Sequence, residues 1–366
     1  MAKILNKNQL IMPNNPTTCT AQTLGKPMPT DLQAFFAHHR FVSNTLHTPT
    51  PLTYRDALTQ LITHQVHAAP TTDHRAVQVL DSMSTAPTHF YGYNVPLRVF
   101  IPKTMQPTPT QHTNVMLFFH GGGVAGSVGL YTAWLNQLAA TTGQIIVAPA
   151  YRCAPENRYP AAIDDAHSVL QGMVQTLAKL GIEVNDLIAA GDGTGGAIAA
   201  TLVQDWLSGR AASNVPITGQ ILIDGVLDYT LSQPSAHAAP SDTYLGDSAN
   251  HWTWLLGVQG LQQNYDWYFG KHDDRELASP YWTDLGSLAH YSDKPLPRCL
   301  TITAGNSPLR DENLAYHTLL EQAGFAAQLA NFVAMPHSFW YLSAQCTQVC
   351  QQLYGVIGQF CHIADI

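Results

Sequence analysis

The sequence predicts an α/β fold built on a mostly parallel, doubly wound sheet. Short apolar runs recur at Val115 to Phe119, Ile145 to Pro149, Leu187 to Gly191, Ile221 to Val226, Leu300 to Ala304 and Leu329 to Val333. Strands that are apolar at nearly every position are covered on both faces, the condition of a parallel sheet between two helical layers. Patterns of helical period separate the runs, at Ala161 to Leu180, Thr194 to Leu207 and Glu312 to Gln322, with a last one from Ser343 to about Phe360. Regular alternation of strand and helix marks this class.

The other elements follow in chain order. Residues 1–30 are rich in Asn, Pro and Thr without periodicity and are expected to form a loose arm. Residues 31–85 read as an N-terminal helical cap segment with helices at Leu32 to Phe41 and Tyr54 to Val66, the second opened by Thr53 and Asp56 as a variant capping box. After a break at Ala69 to Thr72, the residues Tyr91, Tyr93, Val95, Leu97, Val99 and Ile101 alternate, so a strand is expected over Phe90 to Ile101 and the sheet near residue 90. The core then occupies 86–366. Between Leu227 and Pro297 a Trp- and Tyr-rich stretch is too long for a bare connection, and about 229–297 is assigned to a helical insertion over the sheet's carboxyl edge. Its Trp252, Trp254, Tyr265, Trp267, Tyr268 and Phe269 serve as cap core or as ligand lining. No internal repeat is visible.

Composition excludes several function classes. Apolar residues are 45% of the 366, enough for a large core, and charged residues only 11%. With 17 basic and 25 acidic residues, net charge -8 and no basic run, there is no stripe to neutralise phosphates, which excludes nucleic acid as a partner. Cys19, Cys153, Cys299, Cys346, Cys350 and Cys361 form no CxxC pair, so neither a zinc ribbon nor a disulfide scaffold is expected. Met1 to Pro16 lacks the apolar run of a secretory signal, and no stretch is long enough to span a membrane. A soluble protein is expected, cytoplasmic or exported without an ordinary signal peptide.

The chemistry concentrates in three motifs. His120-Gly121-Gly122-Gly123 follows directly on the Val115 to Phe119 run, where successive glycines leave backbone N–H groups facing a ligand oxygen, an oxyanion-hole arrangement. Tyr151-Arg152-Cys153-Ala154-Pro155-Glu156 and the stretch Tyr159 to Ala166 come next, and then Ala190-Gly191-Asp192-Gly193-Thr194-Gly195-Gly196. Over about residues 85–362 the chain resembles the hormone-sensitive lipase group of α/β hydrolases, a family of carboxylesterases and lipases. The resemblance implies an α/β hydrolase fold with a helical cap, an oxyanion hole at Gly121, Gly122 and Thr194, ligand contacts at Gly123 and Asp192, and no cofactor. It also implies structural roles for Arg152, Glu156 and Asp165 around the cleft.

Two positions depart from that family. Its serine nucleophile stands third in the G-D-x-x-G-G elbow, and here that residue is Gly193, which tolerates the turn but brings no attacking oxygen. The family's triad aspartate precedes Pro-Leu-Arg-Asp-Glu, and here Ser307 stands before Pro308-Leu309-Arg310-Asp311-Glu312, so His337 is expected to lack an anionic partner. His337, in Met335-Pro336-His337-Ser338-Phe339, keeps the family position of the general base. Substitutes exist: Thr194 as a nucleophile, Asp311 swinging to His337 although it reads better as a helix cap, and Asp224 or Asp228 after a strand, the second held by the resemblance to a structural role. No other histidine has metal-ligand spacing, and His38, His39, His64 and His67 lack a partner for one, so no metal site is expected.

The leading expectation is an esterase-like protein without the nucleophile and the triad acid that binds a small ester- or carboxylate-bearing ligand without efficient serine-ester hydrolysis. Plant gibberellin receptors, which resemble this family, took the same direction from turnover to recognition. Two alternatives stand beside it: a non-hydrolytic or water-activating enzyme, lyase- or cyclase-like, using His337 and the oxyanion hole, and a genuine ester hydrolase in which Gly193 was introduced.

Overall fold

The computed structural model describes residues 50–68, 77–84, 94–104, 113–237, 257–271, 274–343 and 346–362. The expected arm, the Leu32 to Phe41 helix, Cys19, His38, His39, Trp252 and Trp254 lie outside them, as do the side chains of His64 and His67. The strands are β1 (Val77–Met83), β2 (Pro96–Pro102), β3 (Asn114–Phe119), β4 (Ile145–Pro149), β5 (Asp186–Asp192), β6 (Ile217–Ile223), β7 (Arg298–Asn306) and β8 (Ala327–Pro336). They form one sheet in the order β1-β2-β4-β3-β5-β6-β7-β8. β2 runs antiparallel to β1 and β4, and every pair from β4 to β8 is parallel.

The helices are α1 (Pro51–Ala68), α2 (Val128–Thr142), α3 (Ala161–Lys179), α4 (Thr194–Leu207), α5 (Val258–Phe269), α6 (Arg275–Ala278), α7 (Leu285–Tyr291), α8 (Arg310–Gln322) and α9 (Thr347–His362). They cover both faces. Met116 and Phe118 of β3 pack with Leu135 and Leu138 of α2 and Leu353 and Ile357 of α9. Val115, Leu117 and Phe119 of the same strand pack with α3, α4 and α8 through Val169, Leu202 and Leu320. Successive side chains of a strand point to opposite layers, so Val115 to Phe119 are apolar at every position.

Four expectations need correction. The sheet begins at β1, before residue 90; this edge strand is mostly exposed and so lacks the apolar alternation that identifies its neighbours. β6 ends at Ile223 rather than at 226, because Asp224 turns the chain at φ 46 and Val226 packs in a separate cluster. The box at the start of α1 is formed by Thr50 with Thr53, each backbone N–H donating to the other's hydroxyl at 2.9 and 3.2 Å. The last helix also starts later, at Thr347, after a 3-10 turn over Phe339–Leu342. Between β3 and β4 the chain forms α2, not singled out in advance, although Ser127 caps its start and Gly143 its end. No helix among the described residues is long and apolar enough to cross a membrane.

The turn after β6 is clamped by α8. Asn313 accepts from Gly225 N at 3.0 Å and donates to Gly225 O and Leu309 O, both at 2.8 Å. Glu312 Oε1 accepts from Leu227 N at 2.6 Å and Asp228 N at 3.2 Å, and burial pushes its carboxyl well above the ordinary range. Backbone groups buried here have no water to turn to. Asn313→Ala is therefore expected to cost about 2–4 kcal/mol in equilibrium denaturation; a loss under about 1 kcal/mol would show that the clamp does not hold this turn.

Candidate functional site

The elbow between β5 and α4 is the first component. Gly193 sits at φ 49 and ψ -120, a backbone state costly to any residue with a Cβ. Close packing enforces the turn: a Cβ on Gly195 would lie 2.0 Å from Phe119 O, so α4 can start this near β3 only with glycine. At Gly193 itself there is room. A Cβ there would meet Gly121 Cα at 3.9 Å and His337 Cε1 at 4.0 Å, ordinary contacts.

His337 follows β8 and is followed by Ser338 at φ 60, which turns the chain into the 3-10 helix. Its Nδ1 lies 2.6 Å from Asp224 Oδ2. Since a carboxylate can only accept, Nδ1 carries the proton and Nε2 is left as the site of base chemistry. The other carboxylate oxygen, Oδ1, accepts from Thr303 Oγ1 at 3.2 Å and Ala304 N at 3.4 Å, on β7. Asp224 is fully buried and His337 is 8% exposed.

This contact corrects the expectation that His337 lacks an anionic partner. Ser307 does not fill that place: its hydroxyl accepts from Leu309 N at 3.0 Å and shapes the entry to α8. Asp311 pairs with Arg310 at 2.7 Å. Asp228 is spent on Thr230, Ser232 and Trp282. Neighbouring strand ends lie about 4.8 Å apart, so a carboxylate on β6 reaches the same space as one after β7. The sequence signal was present in Asp224 within the Ile221 to Val226 run, but nothing local tied it to His337.

Of the three residues expected in an oxyanion hole, Gly121 is turned to the protein itself. Gly121 N is not free: it donates to Asp192 Oδ1 at 2.8 Å and to Tyr131 OH at 2.9 Å. Among the described residues no acceptor is recorded for the N–H of Gly122 or of Thr194, the latter at the start of α4, where an N–H has no helical partner. Gly123 N donates to Thr194 Oγ1 at 3.2 Å, which ties up that hydroxyl as an acceptor. Asp192, expected as a ligand contact, is directed into the protein instead: its Oδ2 accepts from Tyr131 OH at 2.7 Å, Trp340 Nε1 at 3.1 Å and Tyr341 OH at 3.2 Å. Burial pushes its carboxyl up to about 7. It fastens the glycine loop to the elbow. His120, stacked on Tyr151 at 4.3 Å, is held neutral by burial, its pKa lowered to about 4.

A cleft opens above these groups. It holds about 470 Å³ of space between atoms, solvent at its mouth included, and Gly122, Gly123, Gly193, Thr194 and His337 form its floor. α1 supplies Tyr54 and Leu58, and α5 supplies Leu261, Asn264 and Tyr265. A neighbouring recess shares Gly123, Thr194, Asn264 and Tyr265 and continues, largely apolar, under Tyr151, Tyr229 and Tyr268. Of the described aromatic residues in this stretch, Phe269 is buried in a cluster with Tyr229 and Leu309, and Tyr265 and Tyr268 line the recess. Trp267 packs edge-on against Tyr54.

Arg55 pins α1 to the glycine loop, donating to Val124 O at 2.8 Å and to both oxygens of Glu156 at 2.8 and 2.6 Å. Arg152 pairs with buried Asp165. Among the described residues no group of three or more His, Cys, Asp or Glu is placed to hold a metal ion, and the cysteines are free thiols.

Comparison with known proteins agrees with this geometry. The family profile for the alpha/beta hydrolase fold matches residues 116–341. The chain is 32% identical over 249 residues to the ethyl acetate hydrolase of Pseudomonas putida, spanning 68% of this chain and 72% of that protein. It is 30% identical over 268 residues to esterase LipI of Mycobacterium tuberculosis, spanning 73% and 76%. The gibberellin receptor GID1C of Arabidopsis thaliana is 27% identical over 237 residues, 63% of each chain. A hyperthermophilic esterase of the archaeon Pyrobaculum calidifontis has the same fold, with TM-score 0.70 at 24% identity over 92% of this chain and 99% of that one. By profile, by relatives and by sheet topology, the chain belongs to the α/β hydrolases of the hormone-sensitive lipase and carboxylesterase type.

Proposed function

We propose that this protein binds a small ester- or carboxylate-bearing ligand in the cleft over Gly193 without forming an acyl-enzyme. One observation supports the reading: Gly122, Thr194 and His337 line the same cleft as residue 193, and that residue has no hydroxyl. The relatives support the ligand class, since the ethyl acetate hydrolase is named for a small ester and the gibberellin receptor for recognition. A second reading, direct base catalysis on water, is favoured by the Asp224–His337 contact at 2.6 Å, because an oriented imidazole is costly to keep buried and is what a general base needs.

The unmodified protein is expected to resist covalent labelling by fluorophosphonates and to hydrolyse short p-nitrophenyl esters feebly. Gly193→Ser should label stoichiometrically and gain esterase activity, since its Cβ has room and His337 already has its partner. Adding Ser307→Asp should bring nothing further. Adding Asp224→Asn should lower kcat by about 10³–10⁴. Mass spectrometry of the labelled protein and steady-state kinetics check both; labelling of unmodified protein in the cleft, or a double variant indifferent to Asp224, would overturn the assignment.

His337→Ala in the unmodified background separates the two readings. Direct water activation requires ester turnover to fall by about 10²–10⁴ while ligand still binds. Equal residual rates before and after the change leave binding alone.

A further inference from the structure

We propose that Asn264, on α5 of the insertion, is the positioning residue of the glycine loop: it fixes the peptide between Gly123 and Val124, and through it the way Gly122 N–H meets a ligand. The proposal rests on the reading of the cleft as the ligand site. Asn264 is buried and lines both the cleft and the neighbouring recess. Its Oδ1 accepts from Val124 N at 3.1 Å, and its Nδ2 donates to Gly260 O at 2.8 Å, one turn back in the same helix. The side chain is also hydrogen-bonded to the Tyr54 hydroxyl of α1. Arg55 of α1 holds the carbonyl of the same residue, Val124 O, at 2.8 Å. Both backbone groups of Val124 are thus held by side chains from outside the sheet.

A run of glycines has little backbone preference of its own, so the direction of its N–H groups is decided by what holds the run. Gly121 N is held by Asp192, Gly123 N by Thr194 Oγ1 and Val124 N by Asn264. Gly122 N–H, between them, has no recorded acceptor among the described residues. Asn264 also accounts for the third glycine: at φ 54, a Cβ on Gly123 would collide with Asn264 Oδ1. An amide suits the place because it accepts and donates at once. Leucine, of similar shape, does neither. Ionised aspartate would still accept from Val124 N, but it could not donate to Gly260 O and would bring a negative charge to the cleft; protonated, it would resemble asparagine.

The test reads loop order and chemistry separately, on the full-length protein. In the otherwise unmodified chain, Asn264→Leu is expected to speed amide hydrogen exchange at Gly122, Gly123 and Val124 about tenfold or more. In the Gly193→Ser background, assayed with p-nitrophenyl acetate, Asn264→Leu should lower kcat about tenfold or more with KM little changed, because a displaced donor is missed where the oxyanion develops. Asn264→Asp in that background should match Gly193→Ser at low pH, and the ratio of their kcat values should fall as pH rises and the new carboxyl ionises. Asp192, His337, Tyr54, Tyr265 and Tyr341 are common to both proteins, so their titration cancels in the ratio. Unchanged exchange and unchanged kcat in Asn264→Leu overturn the proposal. So does a loss carried by KM beside an aspartate ratio that is flat with pH, which leaves Asn264 a packing residue. If Asn264→Leu fails to fold, the aspartate ratio decides alone. Inactivity of Gly193→Ser itself overturns the reading of the cleft and with it the ligand role of Gly122, and exchange at Val124 then shows whether Asn264 still holds the loop.

Discussion

The hydrogen bond from His337 Nδ1 to Asp224 Oδ2 depends on three strands ending at the right height, and much of the carboxyl edge is organised around it. β6 delivers Asp224 and turns there at positive φ, a backbone state that aspartate adopts more readily than most residues. β7 holds the other carboxylate oxygen through Thr303 and Ala304. β8 delivers His337, and the 3-10 turn behind it sends Trp340 and Tyr341 to Asp192 under the elbow. The pair is buried, and breaking such a pair by removing one member leaves the other uncompensated, at a cost of about 3–5 kcal/mol.

The elbow shows the opposite economy. Its strained backbone is set by the approach of α4 to β3, which persists whatever residue occupies position 193. A serine there would carry the strain of a Cβ at positive φ, about 1–3 kcal/mol. Glycine at 193 avoids that strain and brings no hydroxyl, while His337 stays held by Asp224 in the same cleft.

Much of this was legible in the sequence, for identifiable reasons. The parallel strands announced themselves because both faces are buried; β1, half exposed at the edge, did not. The glycine loop, the elbow and His337 were found because their spacing is local and ordered. Asp224 was weighed only beside Asp228, because which aspartate meets a histidine 113 residues away is decided by strand register and by the positive φ at residue 224, neither of which is written locally. Gly121 and Asp192 were expected to face a ligand, and each turned inward to the other, since a buried carboxylate in this loop needs donors more than the cleft does.

The central claim is that Asp224, and not a residue at position 307, orients His337. The most direct measurement is the proton NMR resonance of the His337 Nδ1–H in protein with ¹⁵N-labelled histidine. The account predicts a downfield, exchange-protected signal that disappears in Asp224→Asn and persists in Ser307→Ala. A signal that survives Asp224→Asn, or one lost in Ser307→Ala with the fold intact, would contradict it.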